Sequence, residues 1–312
     1  MKPHPEAHKP PVAAQAAMLS PLLRRQFRQL AICTAVLAVC FARPLFELAR
    51  FTLHSELYSH ILLIPVVSLY LAWLNRHKLP LASEPDRRLA VLPLGIGLLL
   101  LAGYYFAPHW GLKLARVDSL AWTTLSFVFL FLAAVLFCLG KSTLRVLAFP
   151  LAFLIFCVPF PVLVKDAIET FLQYRSADAA ELLFGLVGTP LLRNDVDFQL
   201  PGFRLQVAPE CSGIRSTLVL FISSLVAGYL FLRTPWKRAL FAFLVIPLGI
   251  FRNALRIVTI GELCIHIDPG FIDSAIHRRG GPVFFVISLA PFLLLLYYLH
   301  KTDVRKPQAN DV

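Results

Sequence analysis

Stretches of mostly apolar residues, each close to the length that crosses a bilayer, recur along the chain. A helical span needs about 20 such residues. Eight segments are candidates: 30–49, 60–75, 89–107, 119–139, 146–164, 212–232, 239–261 and 281–300. Arg43-Pro44 interrupts the first, and the second is short. Of the 312 residues, 58% are hydrophobic and only 15% are charged, too few charges to cover a soluble domain of this size. Disorder, a collagen-like fibre and a disulfide-stapled miniprotein are excluded on the same grounds. The expected fold class is an all-α polytopic membrane protein with about eight transmembrane helices. Residues 1–18 are polar and hold no apolar core of a cleavable signal peptide. Residues 1–20 and 303–312 read as cytoplasmic tails, the first disordered, around one transmembrane domain over 21–302.

Lys and Arg number 30 against 18 Asp and Glu, a formal net charge of +12. In a membrane protein such a surplus belongs to cytoplasmic loops beside anionic lipid, so membrane lipid is the expected partner and nucleic acid is not. Dense basic clusters fall at alternate ends of the spans: Arg24, Arg25 and Arg28; Arg76, Lys78, Arg87 and Arg88; Lys141 and Arg145; Arg233, Lys237 and Arg238; Lys301, Arg305 and Lys306. The positive-inside rule makes this set cytoplasmic, with both termini inside and the connections 165–211 and 262–280 outside.

The connection 165–211 has structure of its own. Ile168, Phe171, Leu172, Ala179, Leu182, Leu183 and Leu186 recur at helical spacing, which predicts an amphipathic helix over 166–186 on the outer leaflet or on the rim of the bundle. The segments 196–200 and 203–207 alternate apolar and polar residues around Pro201-Gly202, which predicts a small β-hairpin before the sixth span. Pro-Gly suits a type II turn. Pro159 and Pro161 should end the fifth span, and Pro247 with Gly249 should kink the seventh.

Chemistry-bearing residues gather on the expected outer face. Cys33, Cys40, Cys138 and Cys157 lie in spans and read as small core hydrophobes. No cysteine spacing suits zinc, no HExxH motif is present, and no metal or cofactor is expected. Cys211 differs, because it lies between the hairpin and the sixth span, in Glu210-Cys211-Ser212-Gly213-Ile214-Arg215-Ser216. Ser212 is a candidate N-cap for that span, and a helix N-terminus near the sulfur favours the thiolate. The seventh span carries Arg252, Asn253 and Arg256. A buried Arg costs roughly 2.5–3.5 kcal/mol on insertion scales and persists where it faces the bundle interior. His277 precedes the eighth span. A Cys with a His is the minimal pair for nucleophilic acyl transfer, and an Arg can steady the oxyanion or grip a carboxylate.

At these residues the chain resembles the exosortase/archaeosortase family of multi-pass cysteine transpeptidases, over about residues 54–299. Cys211-Ser212-Gly213-Ile214-Arg215 is close to the family's Cys-Ser-Gly-[Ile/Leu]-Arg signature. Asn253-Ala254-Leu255-Arg256 matches its Asn-x-[Leu/Ile]-Arg box, and His277 to Phe285 matches its His, turn and span. Tyr58-Ser59-His60 is similar to Tyr-Ser-His-Gly with Ile61 in place of Gly, and Phe156 to Pro161 is similar to a Pro-rich span end.

The resemblance implies a bacterial cytoplasmic-membrane enzyme that acts at the outer face. Its partners would be exported proteins with a C-terminal sorting signal: a Pro-Glu-Pro motif, a transmembrane helix and a basic cluster. It implies Cys211 as nucleophile, Arg256 as stabiliser of the thiolate or oxyanion and His277 as acid and base. Arg215, Arg252 and Asn253 are substrate-binding candidates. Two other readings stand beside it. One is a transporter or channel using the intramembrane arginines, and the other a scaffold with a Cys211–Cys264 disulfide.

Overall fold

The computed structural model describes residues 21–80, 84–268, 270–271 and 281–304. The expected tail over 1–20 and residues 305–312 of the other lie outside them. The described chain is mostly helical and forms two compact units, Met1–Val162 and Leu163–Val312.

In the first unit, α1 (Pro21–Cys40) and α2 (Ala42–Leu53) meet at a bend of 74°. Pro44, which has no N–H to donate, lies in the first turn of α2 and suits a helix start there. A 3-10 turn (Ser59–Leu62) leads into α3 (Ile64–Leu74), followed by α4 (Arg87–Phe106) and α5 (Arg116–Val146). Then come α6 (Ala148–Phe153) and a 3-10 turn (Leu154–Cys157). Asp86 caps α4, its Oδ1 accepting from the Leu89 N–H at 3.0 Å. The pair α4 and α5 packs through small residues: Gly97 lies against Leu130, Gly103 against Trp122, and Ser126 Oγ donates to the Gly97 carbonyl at 2.8 Å. Close approach of this kind replaces the hydrophobic effect as the glue between helices in lipid.

The second unit begins with α7 (Val162–Val187), which ends at Gly188, where the N–H groups of Gly188 and Thr189 both reach the Phe184 carbonyl. Three antiparallel strands follow in the order β1 (Leu192–Asn194), β2 (Asp197–Leu200) and β3 (Phe203–Gln206). Leu200 pairs with Phe203 across Pro201-Gly202, with Gly202 at φ +88° as a type II turn requires. Beyond the two alternating segments, the short β1 adds a third strand. Arg193 on β1 reaches back to α7, bonding Asp178 at 2.8 Å and Glu181 at 2.7 Å. Its burial works against the charge, but the hydrogen bonds and charges of the two carboxylates outweigh it and raise the guanidinium pKa. The chain continues through α8 (Ile214–Phe231), α9 (Pro235–His266) and α10 (Gly281–Val304).

Among the described residues five helices are long and apolar enough to cross a membrane: α4, α5, α8, α9 and α10. The count reaches seven if the bent pairs α1–α2 and α6–α7 each form one span. The remaining apolar stretch, Ser59–Leu74, is shorter than these. The segment 60–75 forms only a 3-10 turn and an 11-residue helix. At 1.5 Å per residue that helix covers about half of the roughly 30 Å apolar layer. The helix α9 runs unbroken past Pro247 and Gly249. At Gly249 a Cβ would meet Thr217 Oγ1 of α8 at 2.5 Å.

The helix α7 buries a different set of residues from the larger apolar ones that marked its expected face. Leu172, Ser176, Ala177, Ala180 and Phe184 are buried, while Phe171, Leu182 and Leu186 are exposed. The buried side faces the sheet, where Phe184 and Phe198 meet with ring centroids 5.9 Å apart. Leu200, Leu205, Val207, Ala254, Ile257 and Val258 complete this core, so the sheet is packed between α7 and α9.

The α8–α9 turn is tied to the end of α10, which extends two residues into the expected C-terminal tail. The Asp303 carboxylate accepts from the N–H groups of Arg233 and Thr234 and from Thr234 Oγ1. It also pairs with Lys237 at 3.3 Å, and both side chains are buried. Removing one partner of a buried pair costs about 3–5 kcal/mol. Asp303→Ala strands the Lys237 ammonium and uncaps two amides, so it should lower stability by about that amount. Lys237→Met leaves the carboxylate its three other donors and should cost less than half as much. Thermal unfolding of the two variants in the same detergent checks this ordering.

Candidate active site

Cys211 ends a 3-10 turn (Pro209–Cys211) that joins β3 to α8. Each residue around it is held by a neighbouring element. Upstream, the Val207 N–H donates to Val196 O at 3.0 Å, and Gln173 Nε2 of α7 donates to the Val207 carbonyl. Downstream, Gly213 stands at φ +77° as the N-cap of α8. Ser212 is not the cap. Its residue is 1% exposed and its Oγ has no hydrogen-bond partner among the described residues. The reversal of the chain occurs one residue later than expected, where only glycine enters the left-handed region cheaply.

The turn is pinned from α9. Asn253 Nδ2 donates to the Cys211 carbonyl at 2.8 Å. Arg252 Nη2 lies 3.4 Å from both the Gly213 carbonyl and Thr217 Oγ1. Consecutive residues of one helix thus hold two carbonyls of the Cys-Ser-Gly turn. Gly213 is tightly enclosed, since a Cβ there would lie 3.1 Å from Asn253 Cγ.

Half-buried Cys211 lines a cavity of about 20 Å³ with Asn253, Arg256, Gln206 and the apolar side chains of Leu205, Val207, Ile257 and Ile260. That is room for one water or one oxygen atom. The site candidates therefore divide. Cys211, Asn253 and Arg256 share the cavity. Arg252 is 5% exposed, stands at the turn near Thr217, and its Nη1 has no hydrogen-bond partner among the described residues. Arg215 is exposed in the first turn of α8 and does not line the cavity. His277 lies outside the described residues. Sequence reasoning passed over Gln173, Gln206 and Thr217, because no spacing rule links α7, β3 or the inner face of α8 to a nucleophile.

No disulfide joins any of the six cysteines among the described residues. Cys264 is buried in α9, eleven residues beyond Asn253, roughly 16 Å along the axis. That separation argues against a Cys211–Cys264 bridge. Among the described residues no three His, Cys, Asp or Glu side chains gather as a metal ion would need. In the first unit, His60 lines a cavity of about 70 Å³ with Tyr58, Ile155, Phe156, Val158 and Phe160, and Tyr58 Oη donates to the Phe160 carbonyl at 3.2 Å. The Tyr-Ser-His and Pro-rich boxes therefore meet there.

Residues 49–294, which include Cys211, Arg256 and His277, match the family described as transmembrane exosortase, and the chain belongs to that family. No curated protein and no solved structure matches it. Membership makes it a membrane protein of sorting-signal processing, in a family whose members are generally cysteine transpeptidases.

The αL backbone and the contact with Asn253 make Gly213→Ala a sensitive probe of the turn. A left-handed alanine costs about 1–2 kcal/mol before any clash. The variant should melt earlier than the parent in detergent, and the Cys211 thiol should alkylate at a changed rate. An unchanged melting temperature and an unchanged alkylation rate would mean that the turn is not held as described.

Proposed function

We propose that this chain is a membrane-embedded cysteine peptidase and transpeptidase acting on exported proteins that carry a C-terminal Pro-Glu-Pro-type sorting signal. One domain over 21–302 carries the activity. The protein sits in the bacterial cytoplasmic membrane with both termini inside and Cys211 at the outer face. The observation that carries this reading is the shared cavity. A half-buried thiol faces a space for one oxygen atom, bordered by Arg256 and by the Asn253 that holds the thiol's own backbone.

In the proposed reaction, the Cys211 thiolate attacks the carbonyl carbon of the scissile peptide. A C–S bond forms, and the carbonyl electrons move onto the oxygen, which Arg256 stabilises. His277 takes the thiol proton and delivers it to the leaving amine as the C–N bond breaks. The acyl group then passes from sulfur to water or to another acceptor, which restores the thiol. Arg252 and Arg215 are assigned to the acidic residue of the signal, with Asn253 beside them. The unpartnered Nη1 of Arg252 supports its share of that role.

The test is processing of a signal-bearing protein in cells that carry the parent enzyme or a variant. Cys211→Ala should leave the substrate uncut, and mass spectrometry should find no new C-terminus. Arg256→Ala should slow processing by about a hundredfold or more, the usual loss for a group that stabilises the oxyanion. Processing at the parent rate by Cys211→Ala would sink the proposal.

A further inference from the structure

A second polar cavity lies in the first unit, at the ends of two spans. It measures about 710 Å³ and is lined by Glu84, Asp86, Arg87 and Arg88 at the start of α4 and by Lys141, Ser142 and Arg145 at the end of α5. The apolar run of α4 begins at Leu89 and that of α5 ends at Leu139. The cavity therefore opens where apolar helix gives way to charge, at the depth of lipid headgroups.

Two features set it apart from an ordinary basic loop. The first is its shape. The helix α5 breaks at Gly140, which has φ +75° and ψ 179°, a backbone region almost closed to other residues. The break redirects residues 141–146, and with them Lys141, Ser142 and Arg145, which line one wall of the cavity. The backbone bond from Asp86 N to Leu136 O, at 3.2 Å, holds the other wall beside the break.

The second feature is unspent charge. Four cations face two carboxylates, yet none of the four is in an ion pair among the described residues. Asp86 is occupied as the cap of α4, accepting from the Leu89 N–H. Arg87 instead stands over the Phe137 ring, 5.5 Å from its centroid. Arg88, Lys141 and Arg145 are exposed. Four unpaired cations around a concave surface attract an anion with several oxygens, as a phosphate offers.

We infer that this cavity binds the phosphodiester headgroup of an anionic phospholipid. Its volume admits a glycerophosphate headgroup, and its position at the ends of two spans favours lipid over a soluble anion. The ligand would bridge α4 and α5 and brace the break at Gly140.

The test measures saturable binding of a fluorescent phosphatidylglycerol to the purified full chain in neutral detergent. Unlabelled phosphatidylglycerol should compete, whereas phosphatidylcholine should not. The triple variant Arg87→Gln, Lys141→Gln, Arg145→Gln should bind about tenfold more weakly. Arg24→Gln with Arg28→Gln, which removes basic charge of α1 outside the cavity, should stay within about twofold. Ser142→Glu, which adds a carboxylate and removes no cation, should weaken binding comparably to the triple variant and covers the case in which that variant fails to fold. Equal losses in the cavity and α1 variants would mean diffuse attraction and overturn the site. Displacement by inorganic phosphate or glycerol phosphate as readily as by lipid would assign the cavity to a soluble anion and overturn the lipid reading. Absence of saturable binding would also overturn it.

Discussion

Irregular backbone in a membrane protein must find partners for its polar groups, because lipid offers none. The turn from Pro209 to Gly213 is such a backbone, set between a small sheet and a long apolar helix. Its carbonyls are met by Asn253 and Arg252, adjacent residues of α9. That requirement draws α8 and α9 together at this level, and Gly249 lets Thr217 come close enough. The same bonds that satisfy the turn hold Cys211 half-buried beside Arg256. Structural need and chemical placement are met by one set of contacts.

The sheet gives that turn its upstream support. Phe198, Leu200, Leu205 and Val207 point into a core shared with α7 and α9, and Phe184 closes it. Outward residues of the same strands stay polar, so three short strands suffice to bury one face. Arg193 clamps the first strand to α7 through two carboxylates. Gln173 reaches from α7 to the Val207 carbonyl, two residues before the turn. The approach to Cys211 is thus built from a helix, a sheet and a second helix, with the thiol at their junction.

Much of this was legible in the chain itself, and the exceptions are instructive. The long spans α4, α5, α8, α9 and α10 follow from apolar length alone. The alternation at 196–200 and 203–207 follows from period two. The cluster Cys211, Asn253 and Arg256 is marked by the polar cost of its residues in an apolar setting. The face of α7 that meets the sheet went unread because Ala177 and Ala180 carry little hydrophobic signal, yet small size is what lets a sheet pack against a helix. Leu182 and Leu186 carry a strong signal and stay largely exposed, as suits a chain whose solvent is partly lipid. Ser212 was read as a cap from its residue type, but the φ of its neighbour decides where the helix starts.

The amino-acid sequence by itself determined that the chain is a membrane protein with several apolar helices and where its thiols and charged groups fall along them. These properties depend on transfer free energies and local periodicity, which belong to each segment separately. The tertiary structure decided where each arginine of α9 is placed, with Arg256 lining the cavity that Cys211 also lines. Arg252 and Arg256 are one helical turn apart, and the spacing from Asn253 favoured Arg256 without showing where either side chain goes. Only the packing of α9 against the turn and the sheet sends Arg252 to the Gly213 carbonyl and Arg256 to the cavity beside Cys211. Likewise, only the break at Gly140 sets the cations of α5 facing those of α4, because the direction of a helix beyond a break is settled by its neighbours and not by its own residues.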